Sequence, residues 1–384
     1  MKNSENYKKN LCIVSSYEFA DTNATKARLG VFIDILSERF SVYLIAPLGS
    51  DSIDLSVAKL VPLGRAPARG SFGIRALREF GYSFRAWWKV RQLKPDVLLV
   101  SSPSMFILLL AKFKICPTVL DIRDLTWEYL PGSRYFSRVI KSLLRTFAIN
   151  AIHNSDMVWV TNTSEYRYIN NAFRLKGLYA PVYIVRNGIS SSRFAAIREI
   201  PDNRAPAQPV LLYVGNVGIA QNLTTIIDVA NEFPNFKILI IGAGSDLARI
   251  QKYARHRLVQ NITFVGGVLW EDLKLYYSQA TILYAQIGEN YGSAIPSKLY
   301  EYLTLGIPVI YGGKGVAVDF LTEFDDVQII EPENPKALSS AIKNLHGIEN
   351  LTKNIRNQEL IREKYQREEQ VRKVLDLVCL LCEK

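Results

Sequence analysis

A single carboxylate, Glu301, lies in "PSKLYEYLTLGIPVI", residues Pro296 to Ile310, three positions after Lys298 and behind a loop of small residues, "IGENYGSAIP". Proline suits the first turn of a helix, where its missing N–H leaves no intrahelical bond unmade. The run therefore predicts a helix whose first amides, those of Ser297, Lys298 and Leu299, are free, with the positive end of the helix dipole behind them. That is an anion site, and a diphosphate fits it. Lys298 adds a cation on a flexible stem. Glu301, one turn in, is repelled by phosphates and is better used accepting two hydrogen bonds from a diol such as a ribose. The plain alternative is a helix packed through Leu299, Tyr302 and Leu303, with Glu301 merely facing its own helix dipole.

A second set of chemical residues ends the predicted strand "TVLDIRD": Asp121 and Asp124, with Arg123 between them. Asp124 sits where it could contact a ligand at the strand end, the alternative being an N-cap of the next helix. Gly242 and Gly244 in "LIIGAGSDL" follow a strand, but Leu247 stands where a dinucleotide fingerprint needs its third glycine or alanine. A nicotinamide enzyme is thus disfavoured, and the glycines mark a tight strand-to-helix turn. His153, His256 and His346 fall in helix or loop patterns, with core or surface roles. The four cysteines make no disulfide framework, and the Cys379–Cys382 C-x-x-C lacks a second ligand pair. No D-x-D is present, so no metal site is expected, and no other cofactor is expected either.

These residues need elements to hold them, and 384 residues are too many for one ordinary core. Uniformly apolar runs, "LCIVSSY", "SVYLIAP", "PDVLLVSS", "TVLDIRD", "SDMVWVTN" and "PVYIVRNG", alternate with helical patterns. The alternation restarts at "VLLYVGN" and runs through "FKILIIGAG", "ITFVGG", "TILYAQ", "PVIYGG" and "VQIIE". Buried parallel strands read this way. The fold class is α/β, with two Rossmann-like doubly wound parallel-sheet domains facing a central cleft, and ligands at the carboxyl ends of the strands. The boundaries read from the sequence are 1–195, a proline-bearing linker over 196–209, and 210–365, with a helix over 366–384 returning to the first domain. The longest apolar run, Val97 to Ala111, is broken by Ser101, Ser102, Pro103 and Ser104, so no membrane-spanning helix is expected. The N-terminus lacks a secretory h-region, which points to the cytoplasm.

Charge is unevenly placed. Residues 1–186 hold 26 Lys and Arg against 14 Asp and Glu, while the remainder holds 21 against 22. "RAPARGSFGIRALREFGYSFRAWWKVRQLK" carries eight basic residues and one acid, interleaved with aromatic side chains. Arg134, Arg138, Lys141 and Arg145 repeat at helical spacing. Basic helices edged by tryptophan suit a surface of anionic lipid, with Arg85, Trp87, Trp88, Lys89 and Arg91 facing the headgroups; the alternative is an ordinary solvated face. No nucleic-acid-binding signature accompanies the charge, so nucleic acid is not an expected partner.

Six motifs in order, "VLDIRDL", "YIVRNGI", "LLYVGNVGIAQNL", "ILIIGAGSD", "SQATILYAQIGE" and "PSKLYEYLTLGIPVI", resemble the retaining glycosyltransferases of family 4, of GT-B fold, in particular those that make bacterial O-antigen and capsule sugars. The resemblance implies transfer of a hexosyl or N-acetylhexosaminyl group from a nucleotide diphosphate sugar of the UDP type to a glycan or to a saccharide on a polyprenyl diphosphate, at the inner face of the plasma membrane. It implies no protein nucleophile: the acceptor hydroxyl attacks on the face the diphosphate leaves, and the protein positions and stabilises charge. Donor contacts are implied for Gly215, Asn216, Gly218, Gly242, Gly244, Val268, Ser293, Pro296, Ser297, Lys298, Leu299 and Glu301. Asn23, Thr25, Lys26, Arg28, Asp121 and Arg123 would line the acceptor side, and Asp124, Lys298 and Glu301 would serve the reaction. The first glutamate of the family's E-x7-E pair falls on Ser293, and Ile219 replaces a basic residue after the "GN-x-G" turn. Two other functions stay open: a nucleotide-sugar 2-epimerase, which shares the fold, and a non-catalytic membrane-associated scaffold, to which those departures point.

Overall fold

The computed structural model describes residues 8–19, 24–47, 58–66, 72–102, 104–128, 135–203, 208–346 and 353–383. The chain forms two compact units, one of Met1–Asn187 with Arg367–Lys384 and one of Gly188–Gln366.

The first unit holds seven parallel strands: β1 (Lys9–Ser15), β2 (Phe40–Ala46), β3 (Ala58–Pro62), β4 (Val97–Ser101), β5 (Thr118–Ile122), β6 (Met157–Val160) and β7 (Val182–Ile184). Their order is β3-β2-β1-β4-β5-β6-β7, so the direction of winding reverses between β1 and β4. β4, β5 and β6 are buried at every position, because helices cover both faces. On one face Tyr82, Ala86 and Val90 of the helix Phe72–Leu93 pack with Ile149 and Ile152 of the helix Tyr135–His153. The other face is closed by the helix Ala24–Ser37 and the helix Arg367–Leu381, whose Val371, Val374, Leu375, Val378 and Leu381 share a core with Phe32, Leu36 and Trp159. Arg372 forks onto Glu38 with contacts of 3.0 and 2.8 Å across the same pair of helices.

The second unit holds six parallel strands: β8 (Val210–Val214), β9 (Lys237–Ile241), β10 (Ile262–Gly266), β11 (Ile282–Gln286), β12 (Val309–Gly312) and β13 (Val327–Ile330). Their order is β10-β9-β8-β11-β12-β13, with the reversal between β8 and β11. In open α/β sheets ligands bind beyond the carboxyl ends of the strands at such a reversal. The helix Lys298–Leu305 follows β11 and stops at Gly306, whose φ of 67° is the left-handed cap that glycine adopts without strain.

The division between units differs from the sequence reading. Residues 188–195 belong to the second unit, and 196–200, read from sequence as the start of a linker, are helix and buried core in that unit. The helix Ser191–Arg198 packs on the helix Lys298–Leu305, and its Phe194 and Ile197, with Ile200, are buried in the second unit's core. Pro201 follows that helix and Pro209 leads into β8, which composition alone does not distinguish from a linker.

Candidate functional site

The carboxyl end of the second sheet is built from backbone crossing backbone. The chain after β8 turns at Gly215 and the chain after β9 at Gly242, both at positive φ, 132° and 141°. The Gly215 N–H donates to the Ile241 carbonyl and the Val217 N–H to that of Ala243, each at 2.9 Å. The loops lie so close that a Cβ at Gly242 would collide with the Gly215 carbonyl oxygen, and one at Gly244 with that of Val217. These glycines are therefore required by packing. The loop is held further by Gln221 Oε1, which accepts from Asn216 Nδ2 at 3.1 Å and from the Gly218 N–H at 3.2 Å.

Lys298 reaches this floor from the neighbouring helix. Its Nζ stands 3.7 Å from the centre of the Tyr213 ring, and a Cβ at Gly215 would be 2.8 Å from it. The side chain is half-buried overall, but the Nζ end is fully buried and has no hydrogen-bond partner. Burial disfavours the ammonium and lowers its pKa from 10.5 to about 7, with Glu301 opposing the shift. A buried amine with no hydrogen-bond partner is an arrangement completed by an anion.

Glu301 is one turn further along and is held from two sides. Its Oε2 accepts from the Tyr277 hydroxyl at 2.9 Å, and its Oε1 lies 3.7 Å from Arg193 Nε. Arg193 is stacked on Trp270 at 3.5 Å from the ring centre, and its Nη1 is buried without a partner. Trp270 and Tyr277 sit seven residues apart on one face of the helix Trp270–Gln279. Sequence reading missed Arg193, Trp270, Tyr277 and Tyr213. The signal available was that i, i+7 pair of aromatic rings, and an arginine just after "YIVRNGI".

Two details of the anion site differ from the sequence reading. The helix begins at Lys298 with Ser297 as its N-cap, so Pro296 lies outside it, not at the first helical position. The Pro296 carbonyl accepts the Leu299 N–H at 3.1 Å, which removes that amide from the set free to meet an anion. Val268, after β10, is half-buried against the core. Ser293 is half-buried in the loop before the helix, and the adjacent Gly292 carbonyl accepts the Val316 N–H at 2.9 Å. Glu289 is turned to the surface and pairs with Lys314 at 2.8 Å. Ile219 is 74% exposed.

In the first unit the residues read as acceptor-side divide into two groups. Arg28 and Asp121 are 1% and 0% exposed and form a bidentate pair, Nη2–Oδ1 2.6 Å and Nε–Oδ2 3.1 Å. Arg28 also donates to Asn187 Oδ1 and to the Val185 carbonyl, and Ser101 Oγ donates to Asp121. Both lie inside the fold, with their charges answered by each other. A buried carboxylate and guanidinium were chosen for partnering each other, since neither is tolerated alone in a core. Thr25 is also buried and accepts from Arg123 Nη1 at 3.2 Å. Arg123 has its pKa lowered by burial and by Arg28, with Asp121 and Asp124 opposing. Lys26, half-buried, reaches over the Phe19 ring at 5.9 Å, and Asp124 is half-buried beside Arg123. Asn23 lies outside the described residues.

Close by, Tyr17 neighbours Arg75, Glu79, Arg123 and Asp124, and burial raises its pKa. Glu79 accepts from Arg75 Nε and from Ser104 Oγ, both at 2.9 Å. Arg75, read from sequence only as part of the basic run, thus has its guanidinium engaged. The outward face of the helix Phe72–Leu93 exposes Leu77, Phe80, Phe84 and Trp88, the last by 54%, alongside exposed Arg85 and Arg91 and half-buried Lys89. Trp87 is half-buried instead: its Nε1 donates to the Phe113 carbonyl at 2.9 Å and Arg91 stacks on its ring. Arg134 lies outside the described residues. Among the described residues no group of three His, Cys, Asp or Glu could hold a metal ion, and no helix is long and apolar enough to cross a membrane.

Two parallel-sheet units of this kind, each with its winding reversal, make the protein one of GT-B fold, and the solved structures that share the fold do so over nearly the whole chain. Sucrose-phosphate synthase from Thermosynechococcus elongatus superposes with a TM-score of 0.77 at 14% identity, over 97% of this chain and 99% of that one. HepE of Anabaena, in complex with UDP-glucose, superposes with a TM-score of 0.68 at 12% identity, over 97% of this chain and 100% of its own. Residues 197–360, most of the second unit, match the family described as glycosyl transferases group 1. In sequence the chain is 26% identical over 284 residues to the putative colanic acid biosynthesis glycosyl transferase WcaI of Escherichia coli strain K12, covering 66% of this chain and 67% of that relative.

Proposed function

We propose that the protein is a retaining glycosyltransferase that takes a sugar from a UDP-type nucleotide sugar and adds it to a growing surface glycan. The observation that carries the reading is Lys298: a buried amine with no partner, under the Gly215 turn and one helical turn from Glu301. A diphosphate supplies the anion that Lys298 lacks, with the Ser297 and Lys298 amides and the turn Gly215–Gly218 around it. A ribose supplies the hydroxyls that Glu301 accepts. That HepE is held in complex with UDP-glucose, on the same fold, supports a uridine nucleotide. The relative named for colanic acid biosynthesis supports a polysaccharide product.

In this reading the leaving diphosphate is stabilised by Lys298 as its charge develops, and the acceptor hydroxyl attacks from the same face and gives its proton to the leaving phosphate oxygen. Ser293 supplies no carboxylate, and Ile219 no cation, so electrostatic stabilisation in the second unit rests chiefly on Lys298. In the first unit Asp124, Arg123, Lys26 and the neighbouring Tyr17 are read as the groups that meet the acceptor.

The acceptor is proposed to be a saccharide on a polyprenyl diphosphate, reached at the inner face of the plasma membrane. The excess of cations over residues 1–186 and the exposed Leu77, Phe80, Phe84 and Trp88 beside Arg85 and Arg91 support peripheral binding to anionic lipid. The test of the whole reading is a thermal-shift panel of nucleoside diphosphates and their sugars, followed by transfer assays with lipid-linked saccharides. A selective shift of a uridine nucleotide with transfer to acceptor is expected. Turnover of the nucleotide sugar without acceptor would favour an epimerase, and no nucleotide binding would favour a scaffold.

A further inference from the structure

The partners of Glu301 bear on how a ribose would be read. A hydroxyl group is at once a donor and an acceptor, so a site that selects it completely must offer both an acceptor and a donor. Glu301 is the acceptor: Oε2 takes the Tyr277 hydroxyl, and Oε1 faces Arg193 Nε across 3.7 Å, too long for a hydrogen bond. The matching donor is already beside it. Arg193 carries a buried Nη1 with no partner, and its guanidinium is fixed by stacking on Trp270 at 3.5 Å. The helix Ser191–Arg198 that holds it is anchored at its start, where Ser190 Oγ accepts the Arg193 N–H at 3.2 Å, and it packs on the helix of Glu301.

From this geometry we infer that Arg193 is a specificity-determining residue for the donor's ribose: a ribose hydroxyl gives its hydrogen to Glu301 and receives one from Arg193. Resting on the donor site proposed above, the inference adds the group that makes loss of the hydroxyl costly. A nucleotide without it leaves the buried Nη1 hydrogen unmet, and a buried unmet donor discriminates more strongly than a lost contact does. Trp270 holds the guanidinium plane, a role that lysine, with a compact ammonium, does not reproduce.

The test compares the affinities of uridine diphosphate and 2′,3′-dideoxyuridine diphosphate by calorimetry, in the full-length protein and in Arg193→Met and Arg193→Lys. The wild type is expected to prefer the ribose form at least tenfold. Arg193→Met should shrink that ratio at least fivefold and leave affinity for the dideoxy nucleotide within twofold of wild type. Arg193→Lys should retain a ratio at least twofold below wild type, and it serves alone if the methionine variant does not fold. Equal weakening of both nucleotides by Arg193→Met, or an unchanged ratio in either variant, overturns the inference. A wild-type ratio near one, with uridine diphosphate still bound, overturns the ribose assignment of Glu301 itself.

Discussion

The depressed pKa of Lys298 makes donor binding dependent on pH in a way that can be worked out beforehand. In the ligand-free protein burial holds the amine at about 7, and a bound diphosphate restores the ammonium by giving it a charge-assisted partner. If only the ammonium form binds, affinity follows the protonated fraction, roughly 0.9 at pH 6 and about 0.03 at pH 8.5. The dissociation constant of UDP-glucose should rise about 30-fold between those values, close to 2 kcal/mol. UDP-glucose suits the measurement because its diphosphate is esterified at both ends and does not titrate there. Calorimetry in buffers of different ionisation enthalpy should show uptake approaching one proton at pH 8.5. Lys298→Met should bind weakly at all pH values, with a flat profile and no proton uptake. Stability carries the same signature. The folded pKa lies below the unfolded one, so between about pH 7 and 10.5 the unfolded chain binds more protons and ligand-free stability rises with pH, a slope Lys298→Met removes. A flat wild-type profile for UDP-glucose would refute the reasoning, since a buried amine that meets the diphosphate cannot avoid it.

Glu301→Ala should weaken UDP by roughly 1.5 to 3 kcal/mol for each hydroxyl bond it loses, with the melting temperature of the free protein as the folding control. Arg28→Met should destabilise the first unit by about 3 to 5 kcal/mol because it strands the buried Asp121 carboxylate, while UDP affinity of the folded fraction stays unchanged. The protein should pellet with anionic vesicles at low salt and be released at high salt, where the screening length falls from about 10 Å at 0.1 M to about 3 Å at 1 M. Arg85, Lys89 and Arg91 replaced together by Glu should abolish pelleting and leave nucleotide binding intact, and equal pelleting of that variant would reduce the basic helix to a solvated face.

The strands and the donor-side glycines were legible in the sequence because both depend on local facts. An apolar run bounded by polar turns is a buried parallel strand wherever it occurs, and a glycine ending such a run marks a tight turn. What stayed hidden depends on meetings between distant segments. Arg28 and Asp121 each look like cleft residues at the edge of an apolar run, and only the folded register shows that they answer each other's charge. Glu301 reads as a solitary carboxylate because Tyr277 and Arg193 come from other helices. Trp87 and Trp88 are neighbours in sequence, yet successive helical positions turn by about 100 degrees, so one caps the core beside Phe113 while the other faces outward.

The helix Arg367–Leu381, which completes one face of the first sheet, also sets an order of events during synthesis. Five of its buried side chains, all apolar, belong to the same core as Phe32, Leu36 and Trp159, yet the ribosome makes them only after the whole second unit. At about 5 to 20 residues per second, the stretch from Asn187 to Val371 takes roughly 10 to 40 s to emerge. For that time the helix Ala24–Ser37 presents an uncovered apolar stripe to the cell, long enough for chaperone capture or for association with another nascent copy. The second unit, continuous in sequence, has no such wait, so the unit made first is the one that finishes folding last.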